Sequence, residues 1–176
     1  IKKGMNVLTG VSVENIAKNG NTGVVTYISS DGSKTDLNVD CVIVSVGRYP
    51  RSQGIGYEQN GIEITDRGYV AVNEFMQTNV AGIYAVGDLV PTPALAHVGF
   101  AEAMVMIKHL LGENPAPIEY SKVPWGIYSH PEVSFCGMTE DAAKAWAAEN
   151  GKEIIVKKEG FIGDGRAIIV GETDGF

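Results

Sequence analysis

The stretch "VDCVIVSVG", residues 39–47, constrains the fold of this chain more than any other segment. It is apolar on both faces and rich in β-branched residues, which is typical of a strand inside a parallel sheet with both faces covered. Such a strand needs helices and parallel neighbours, yet the residues before it predict only hairpins. We therefore expect that the neighbouring strands are missing from this chain.

Alternating apolar and polar residues predict an antiparallel meander ahead of that stretch. The segments "GVSVENI" and "VVTYIS" both alternate, and the turn residues "KNGNTG" separate them. A second turn, "SSDGSK", carries the Asp-Gly signal of a hairpin between Tyr27 and Leu37. Three antiparallel strands are expected before the buried strand.

Two linkers rich in Gly, Pro and polar residues, at 47–64 and 113–124, divide the rest of the chain. Between them we expect two strands, the second of which is "GIYAVGD", and an amphipathic helix over 93–112. The expected buried face of this helix consists of Leu95, Val98, Ala101, Val105 and Leu110.

Short strands "WGIYS" and "EVSFCG" are expected after the second linker. A helix should follow, with Thr139 as its N-cap and Gly151 at its end. The last predicted strands are "EIIVKKE" and one within "AIIVGETDGF", where the chain stops. The fold class is therefore α/β, becoming α+β in the C-terminal part.

Charge and cysteine content exclude several classes of function. The formal net charge is −7 and the isoelectric point about 4.9, which argues against a nucleic-acid partner. No apolar run reaches the roughly 18 residues that a membrane span needs. Cys41 and Cys136 lie far apart, with no CxxC and no histidine cluster. We expect reduced core thiols, no metal site and a cytoplasmic location.

Asp88 is the candidate ligand-binding residue. It follows a predicted strand and precedes a loop and a helix, so we expect it at the carboxyl end of the strand, facing a helix N-terminus. Ligands of open α/β sheets bind at that place, and Gly87 would let one approach the backbone closely. The alternative is that Asp88 only caps the helix.

Three segments in this order resemble the FAD-dependent pyridine nucleotide–disulfide oxidoreductases. "TNVAGIYAVGDLVPTPALAH", residues 78–97, is similar to the second flavin-binding motif of the family. "VDCVIVSVGRYPR" resembles the segment that returns from the NAD domain to the FAD domain, and "YSHPEVSFCGMTEDAAK" the opening of the dimerisation domain. The resemblance implies partial Rossmann-like FAD and NAD domains at 1–47 (NAD) and 48–117 (FAD), and the first part of the dimerisation domain at 118–176.

The resemblance also implies cofactors, FAD and NAD, and residues that bind them. Asp88, after Gly87, would hold the ribityl chain of FAD, and Gly47 would lie against the nicotinamide. "ALAH" is similar to the dihydrolipoyl dehydrogenase branch, in which Met stands where this chain has Ala94. The segment lining the pyrimidine edge of the flavin, largely through backbone N–H groups, would be Ala94, Leu95, Ala96 and His97. His97 is alternatively a packed helix residue.

In that branch the complete enzyme is a homodimer that serves the lipoyl-bearing domain of a 2-oxoacid dehydrogenase or glycine cleavage complex. The redox-active Cys-x4-Cys motif, the Gly-rich pyrophosphate loops and the catalytic His-Glu pair of the family do not occur in these residues. We therefore expect an internal piece of the enzyme, without catalytic residues of its own. The alternatives are another family member, mercuric or glutathione reductase-like, and a non-catalytic dimerisation or binding module.

Overall fold

A computed structural model describes residues 4–175. The chain divides into two compact units, one that ends at Arg48 and one that begins at Tyr49. The three-domain division expected from the sequence stays a prediction. The strands and helices of the described residues are β1 (Ser12–Asn19), β2 (Thr22–Ile28), β3 (Lys34–Val39), α1 (Ala96–Leu110), β4 (Trp125–Ile127), β5 (Val133–Phe135), α2 (Glu140–Glu149) and α3 (Gly165–Val170).

The first unit contains the expected meander. Its three antiparallel strands are arranged in the order β1-β2-β3. At the turn between β2 and β3, Oδ1 of Asp31 accepts hydrogen bonds from the N–H and the hydroxyl of Ser33, at 2.9 and 2.7 Å. Gly32 beside it has a φ of 83°, which a side chain would disfavour. The Asp-Gly hairpin prediction is confirmed.

The buried parallel strand expected at 39–47 is not formed. β3 ends at Val39, and the residues after it have no regular secondary structure. Ile43 and Val46 expose 87 % and 92 % of their surface. A strand of this composition is stable only between neighbours that cover its backbone edges and both faces, and the described residues supply none.

The core of the second unit lies under loops. Ile62, Val70, Ala85 and Val90 form it. The two strands expected before α1 are reduced to isolated antiparallel bridges, Ile64 to Val70 and Gln77 to Tyr84. Backbone hydrogen bonds such as Val70 N–H to the Leu89 carbonyl, at 3.0 Å, tie these loops together instead of a continuous ladder.

Helix α1 forms within the expected segment, and Gly112 follows its end with a φ of 78°. Its buried residues are Val98, Glu102 and Val105. The expectation that Ala101 and Leu110 face the core is wrong, since both are exposed. The buried positions are spaced by four and three residues, so the face turned inward is centred on a glutamate.

The C-terminal region confirms two short strands and one helix. β4 pairs antiparallel with β5, and the hydroxyl of Thr139 accepts the N–H of Ala142 at 3.2 Å as the N-cap of α2. The strand expected in "EIIVKKE" is absent, and α3 replaces the one expected at "AIIV". Asp164 caps α3 by accepting the N–H of Ala167 at 2.8 Å, a local contact that needs no sheet partner.

Both cysteines are free thiols, as expected, but neither belongs to a core. Cys41 and Cys136 are exposed, because residues 39–47 lack the covering layers of a sheet and β5 lies at the surface. Among residues 4–175, no cluster of His, Cys, Asp or Glu is placed to hold a metal ion. In the same residues no helix is long and apolar enough to cross a membrane.

Candidate functional site

Asp88 lies in a single turn of 3-10 helix, Gly87–Leu89, rather than at the end of a continuous strand. The turn begins at Gly87, whose φ of 74° lies in the left-handed region that favours glycine. Val86 before it is extended, so the chain direction changes sharply at this glycine. The side chain of Asp88 is exposed, and its neighbours Leu89 and Val90 are partly or fully buried. The turn therefore exposes the carboxylate of Asp88 to solvent, while the residues that follow it pack into the protein interior.

The turn is anchored by Glu102, a fully buried residue of α1 that the sequence analysis did not identify. Its Oε2 accepts the backbone N–H of Gly87 at 2.6 Å. Its Oε1 accepts the hydroxyl of Thr92 at 2.6 Å and that of Tyr120 at 3.0 Å. A buried carboxylate is tolerated only when its oxygens are hydrogen-bonded in this way.

The turn also packs directly against α1. A Cβ placed on Gly99 would lie 3.5 Å from the Cα of Gly87, an ordinary contact distance. A side chain longer than that of alanine would reach into the turn. A small residue at position 99 therefore lets the Gly87–Leu89 turn lie beside the first turns of the helix.

The N-terminus of α1 provides hydrogen-bond donors near this turn. Leu95 is the N-cap, in an extended conformation, so Asp88 is not the N-cap residue. The carbonyl of Leu95 accepts the N–H groups of Val98 and Gly99, at 3.0 and 3.1 Å. The N–H groups of Ala96 and His97 precede these bonds and have no acceptor within the helix. They are oriented along the helix axis, where anions and polar oxygens are favoured.

The remaining residues expected in the site differ in exposure and in whether their backbone N–H groups are already hydrogen-bonded. Ala94 is exposed. The N–H of Leu95 donates to the Pro93 carbonyl at 2.8 Å, so it is already used within the chain. Gly47 belongs to the first unit, where it is exposed with a φ of 120°.

The side chain of His97 contacts the protein backbone. Its Nε2 lies 2.9 Å from the carbonyl oxygen of Pro124, and the residue as a whole is exposed. A carbonyl oxygen can only accept, so Nε2 carries the hydrogen of this bond. The ring thereby links the first turn of α1 to the segment that leads into β4.

The pKa of the Tyr120 phenol depends on the buried carboxylate of Glu102. Burial raises this pKa far above the usual value, and the negative charge of Glu102 and the hydrogen bond to it add to the effect. Removing the phenolic proton would place two negative charges in contact. The hydroxyl of Tyr120 therefore remains a donor to Glu102 throughout the physiological pH range.

The Gly87–Leu89 turn and the start of α1 could hold a ligand that carries both hydroxyl groups and carbonyl oxygens, such as the flavin that the sequence resemblance implies. The turn brings an exposed carboxylate beside unused helix N–H groups, and a polyol chain next to a heterocycle with carbonyl oxygens requires such acceptors and donors.

Glu102 carries a signal that sequence analysis could have used. It stands four residues after Val98 and three before Val105, on the apolar face of the predicted helix, where an unpaired charge is rarely found.

Comparisons with known proteins identify the family of this chain. Residues 1–103 match the pyridine nucleotide-disulphide oxidoreductase family. The dihydrolipoyl dehydrogenase of Cupriavidus necator is 36 % identical over 175 residues, which are 99 % of this chain and 36 % of that protein. A dihydrolipoyl dehydrogenase of Bacillus subtilis is 37 % identical over 177 residues, with 99 % and 36 % of the two chains covered. The chain thus spans about a third of the length of these relatives.

Solved structures agree with the sequence matches. The HOCl-induced flavoprotein disulfide reductase RclA from Escherichia coli superimposes with a TM-score of 0.77 at 27 % identity, over 93 % of this chain and 36 % of that one. This likeness confirms the expected fold class, part of an α/β Rossmann-like protein. The family match and the flavoprotein neighbour together imply FAD and NAD(P) as the cofactors of the family. The chain belongs to the pyridine nucleotide-disulphide oxidoreductase family.

Proposed function

We propose that these 176 residues form part of a dihydrolipoyl dehydrogenase, which reoxidises dihydrolipoamide with NAD⁺ through FAD and a redox disulfide. The names of the relatives that match along 99 % of the chain support this substrate class over glutathione or mercuric ion. The observation that carries the proposal is the turn at Gly87–Leu89, beside the start of α1. In this turn the carboxylate of Asp88 is exposed, and the buried Glu102 accepts the N–H of the preceding residue.

In this proposal each site residue has a binding role. The carboxylate of Asp88 accepts hydrogen bonds from ribityl hydroxyls. The N–H groups of Ala96 and His97 donate to the pyrimidine edge of the ring, with Ala94 beside them and Leu95 as the N-cap that orients them. Gly47 leaves room for the nicotinamide. Bound FAD would carry electrons between the dithiol and NAD⁺, and the positive end of the α1 dipole would favour the negative charge of a reduced flavin.

The partners follow from the same proposal. The full-length protein would act as a homodimer on the lipoyl-bearing domain of a 2-oxoacid dehydrogenase or glycine cleavage complex. A cytoplasmic location is part of the proposal and is supported by the acidic composition and by the free cysteines.

Replacing Asp88 tests the flavin site. In the full-length apoprotein, Asp88→Ala should weaken FAD binding about ten- to a hundred-fold, the effect of losing one charge-assisted hydrogen bond. The measurement is a titration that follows quenching of flavin fluorescence. Asp66→Ala, which removes an exposed carboxylate from a loop of the same unit, is the matched control and should bind FAD normally. Equal affinities of all three proteins would show that Asp88 does not bind the cofactor.

Substrate choice needs a separate assay. The full-length protein should reduce NAD⁺ with dihydrolipoamide and be at least tenfold less efficient, by kcat/KM, with glutathione disulfide or mercuric ion as oxidant of NADPH. A preference for either oxidant would assign the protein to another branch of the family. A dimer that contains no flavin and reacts with none of these substrates would support the non-catalytic module.

A further inference from the structure

Glu102 is the one fully buried charged residue among residues 4–175, and the proposed function gives it no contact with cofactor or substrate. Taking a carboxylate out of water is costly unless its hydrogen bonds are replaced inside the protein. An apolar residue would fill this position of α1 more cheaply, since Val98 and Val105 on the same face are valines. The glutamate therefore needs an explanation beyond helix packing.

The hydrogen bonds of Glu102 join segments that are distant along the chain. Gly87 belongs to the 3-10 turn, Thr92 to the loop before α1, and Tyr120 to the entry of the C-terminal segment. The described residues contain no buried side-chain nitrogen or oxygen without a partner, so this network is complete. A complete buried network of this kind favours one arrangement of its members over others.

The bond to Gly87 fixes the backbone immediately before Asp88. The N–H of Gly87 is fixed to Oε2 of Glu102 at 2.6 Å, and the φ of 74° at this glycine sets the direction of the next peptide. The side chain of Asp88 begins one residue later. Without the carboxylate of Glu102, the N–H of Gly87 would lose its acceptor, and the turn that carries Asp88 would be held by fewer hydrogen bonds, such as the one from the Val90 N–H to the Gly87 carbonyl.

We propose that Glu102 is a positioning residue, which holds the Gly87–Leu89 turn in the conformation that binds the ribityl chain and couples it to Tyr120. The proposal rests on the proposed flavin site at Asp88. It implies reciprocity, since whatever FAD binding gains from an ordered turn also stabilises the contact between Glu102 and Tyr120.

The test compares FAD affinity among variants of the full-length apoprotein. Glu102→Ala should weaken FAD binding at least tenfold. Glu102→Gln should stay within about threefold of the wild type, because its carbonyl can accept from Gly87 while the hydroxyls of Thr92 and Tyr120 rotate to accept from its NH₂ group. Val105→Ala removes two buried methyl groups three residues later and should lower the melting temperature with less than a threefold effect on FAD affinity.

A second readout needs no flavin. In the apoprotein, hydrogen–deuterium exchange of the peptide that contains Gly87 should become at least tenfold faster in Glu102→Ala and remain unchanged in Val105→Ala. If Glu102→Ala fails to fold, Thr92→Val and Tyr120→Phe each remove one donor, and they should accelerate this exchange by a smaller factor. Unchanged exchange in every variant that folds would overturn the proposal.

A double-mutant cycle separates this inference from the function on which it rests. If Glu102 acts through Asp88, Glu102→Ala should add less than threefold to the loss caused by Asp88→Ala. Normal FAD affinity of Asp88→Ala would contradict the proposed flavin site itself. A large effect of Asp88→Ala together with normal affinity of Glu102→Ala, or fully multiplicative losses, would contradict only the positioning role of Glu102.

Discussion

Nε2 of His97 donates a hydrogen bond to the carbonyl oxygen of Pro124 over 2.9 Å, so the imidazole is engaged with the chain itself. Its ring is held by the segment before β4, while its backbone N–H lies at the start of α1. The side chain of His97 therefore makes a contact within the protein, whereas the proposed contact with FAD uses its backbone N–H.

His97→Ala should leave FAD affinity of the full-length apoprotein within about threefold of the wild type, because the proposed contact uses the backbone N–H. The same change removes one exposed hydrogen bond, worth about 0.5–1.5 kcal/mol, and should accelerate hydrogen exchange in the segment 120–124. Lys108→Ala, an exposed change in the last turn of α1, is the control and should alter neither quantity. A tenfold loss of FAD affinity in His97→Ala would mean that the imidazole binds the cofactor.

Tyr120 predicts a pH dependence of stability. Its folded-state pKa is raised above the ordinary value of 10.0 by burial and by Glu102. Since the unfolded protein then loses this proton at lower pH than the folded one, the stabilisation is complete below about pH 10 and declines as the pH rises above it. Urea unfolding of the wild type and Tyr120→Phe between pH 8 and 11 measures the difference. A wild-type advantage that did not shrink above pH 10 would contradict this prediction.

Cys41 and Cys136 should be reactive and dispensable. Both are exposed, so in the 176-residue chain they should react with Ellman's reagent without denaturant. The variant with serine at both positions should keep most of the dihydrolipoamide-linked turnover of the full-length enzyme, because neither thiol belongs to the redox disulfide in this assignment. Loss of the flavin–thiolate charge-transfer absorbance in that variant would overturn it.

The 176-residue chain on its own should be colourless, inactive and prone to aggregate. A Gly-rich loop that cradles the pyrophosphate is not among its residues, and Ile43, Val44 and Val46 are exposed in an unpaired segment. The purified chain is mixed with excess FAD, desalted, and examined by absorbance and light scattering. Retained flavin absorbance or NADH-dependent reduction of lipoamide would refute this prediction.

A pair of lysine variants tests the cause of the aggregation. Replacing Ile43 and Val46 with lysine should reduce light scattering without loss of stability, since both side chains already face solvent. Val70→Lys, a charge placed in the core where 2 % of the residue is exposed, should unfold the second unit instead. Aggregation unchanged by the first pair would show that another surface drives it.

Local sequence signals predicted the elements that need no distant partner. The Asp-Gly turn at Asp31 and Gly32 specified the hairpin, and Thr139 specified the start of α2. The strands expected around Val44, Ile155 and Ile169 failed because a central strand is stable only between neighbours, which the described residues do not provide. These side chains are 67 %, 86 % and 86 % exposed. A pattern of apolar residues therefore reflects the neighbours that a strand would need, and it does not by itself show that the strand forms.

The sequence likewise indicates only part of the candidate site. The position of Asp88 before a helix followed from the order of elements, and the structure places it in a turn beside that helix. The apolar neighbours Val98 and Val105 mark Glu102 as unusual, but they do not identify its hydrogen-bond partners. Its burial depends on the N–H of Gly87 and on Tyr120, neither of which is adjacent to it in the sequence.

The network around Glu102 also restricts how this sequence can evolve. Every residue except proline has a backbone N–H, so whatever occupies position 87 continues to require an acceptor from position 102. The hydroxyls of Thr92 and Tyr120 are side-chain properties and can be lost one at a time. Among homologues, substitutions at 92 and 120 should therefore accumulate before any at 102, and glutamine should be the first replacement there.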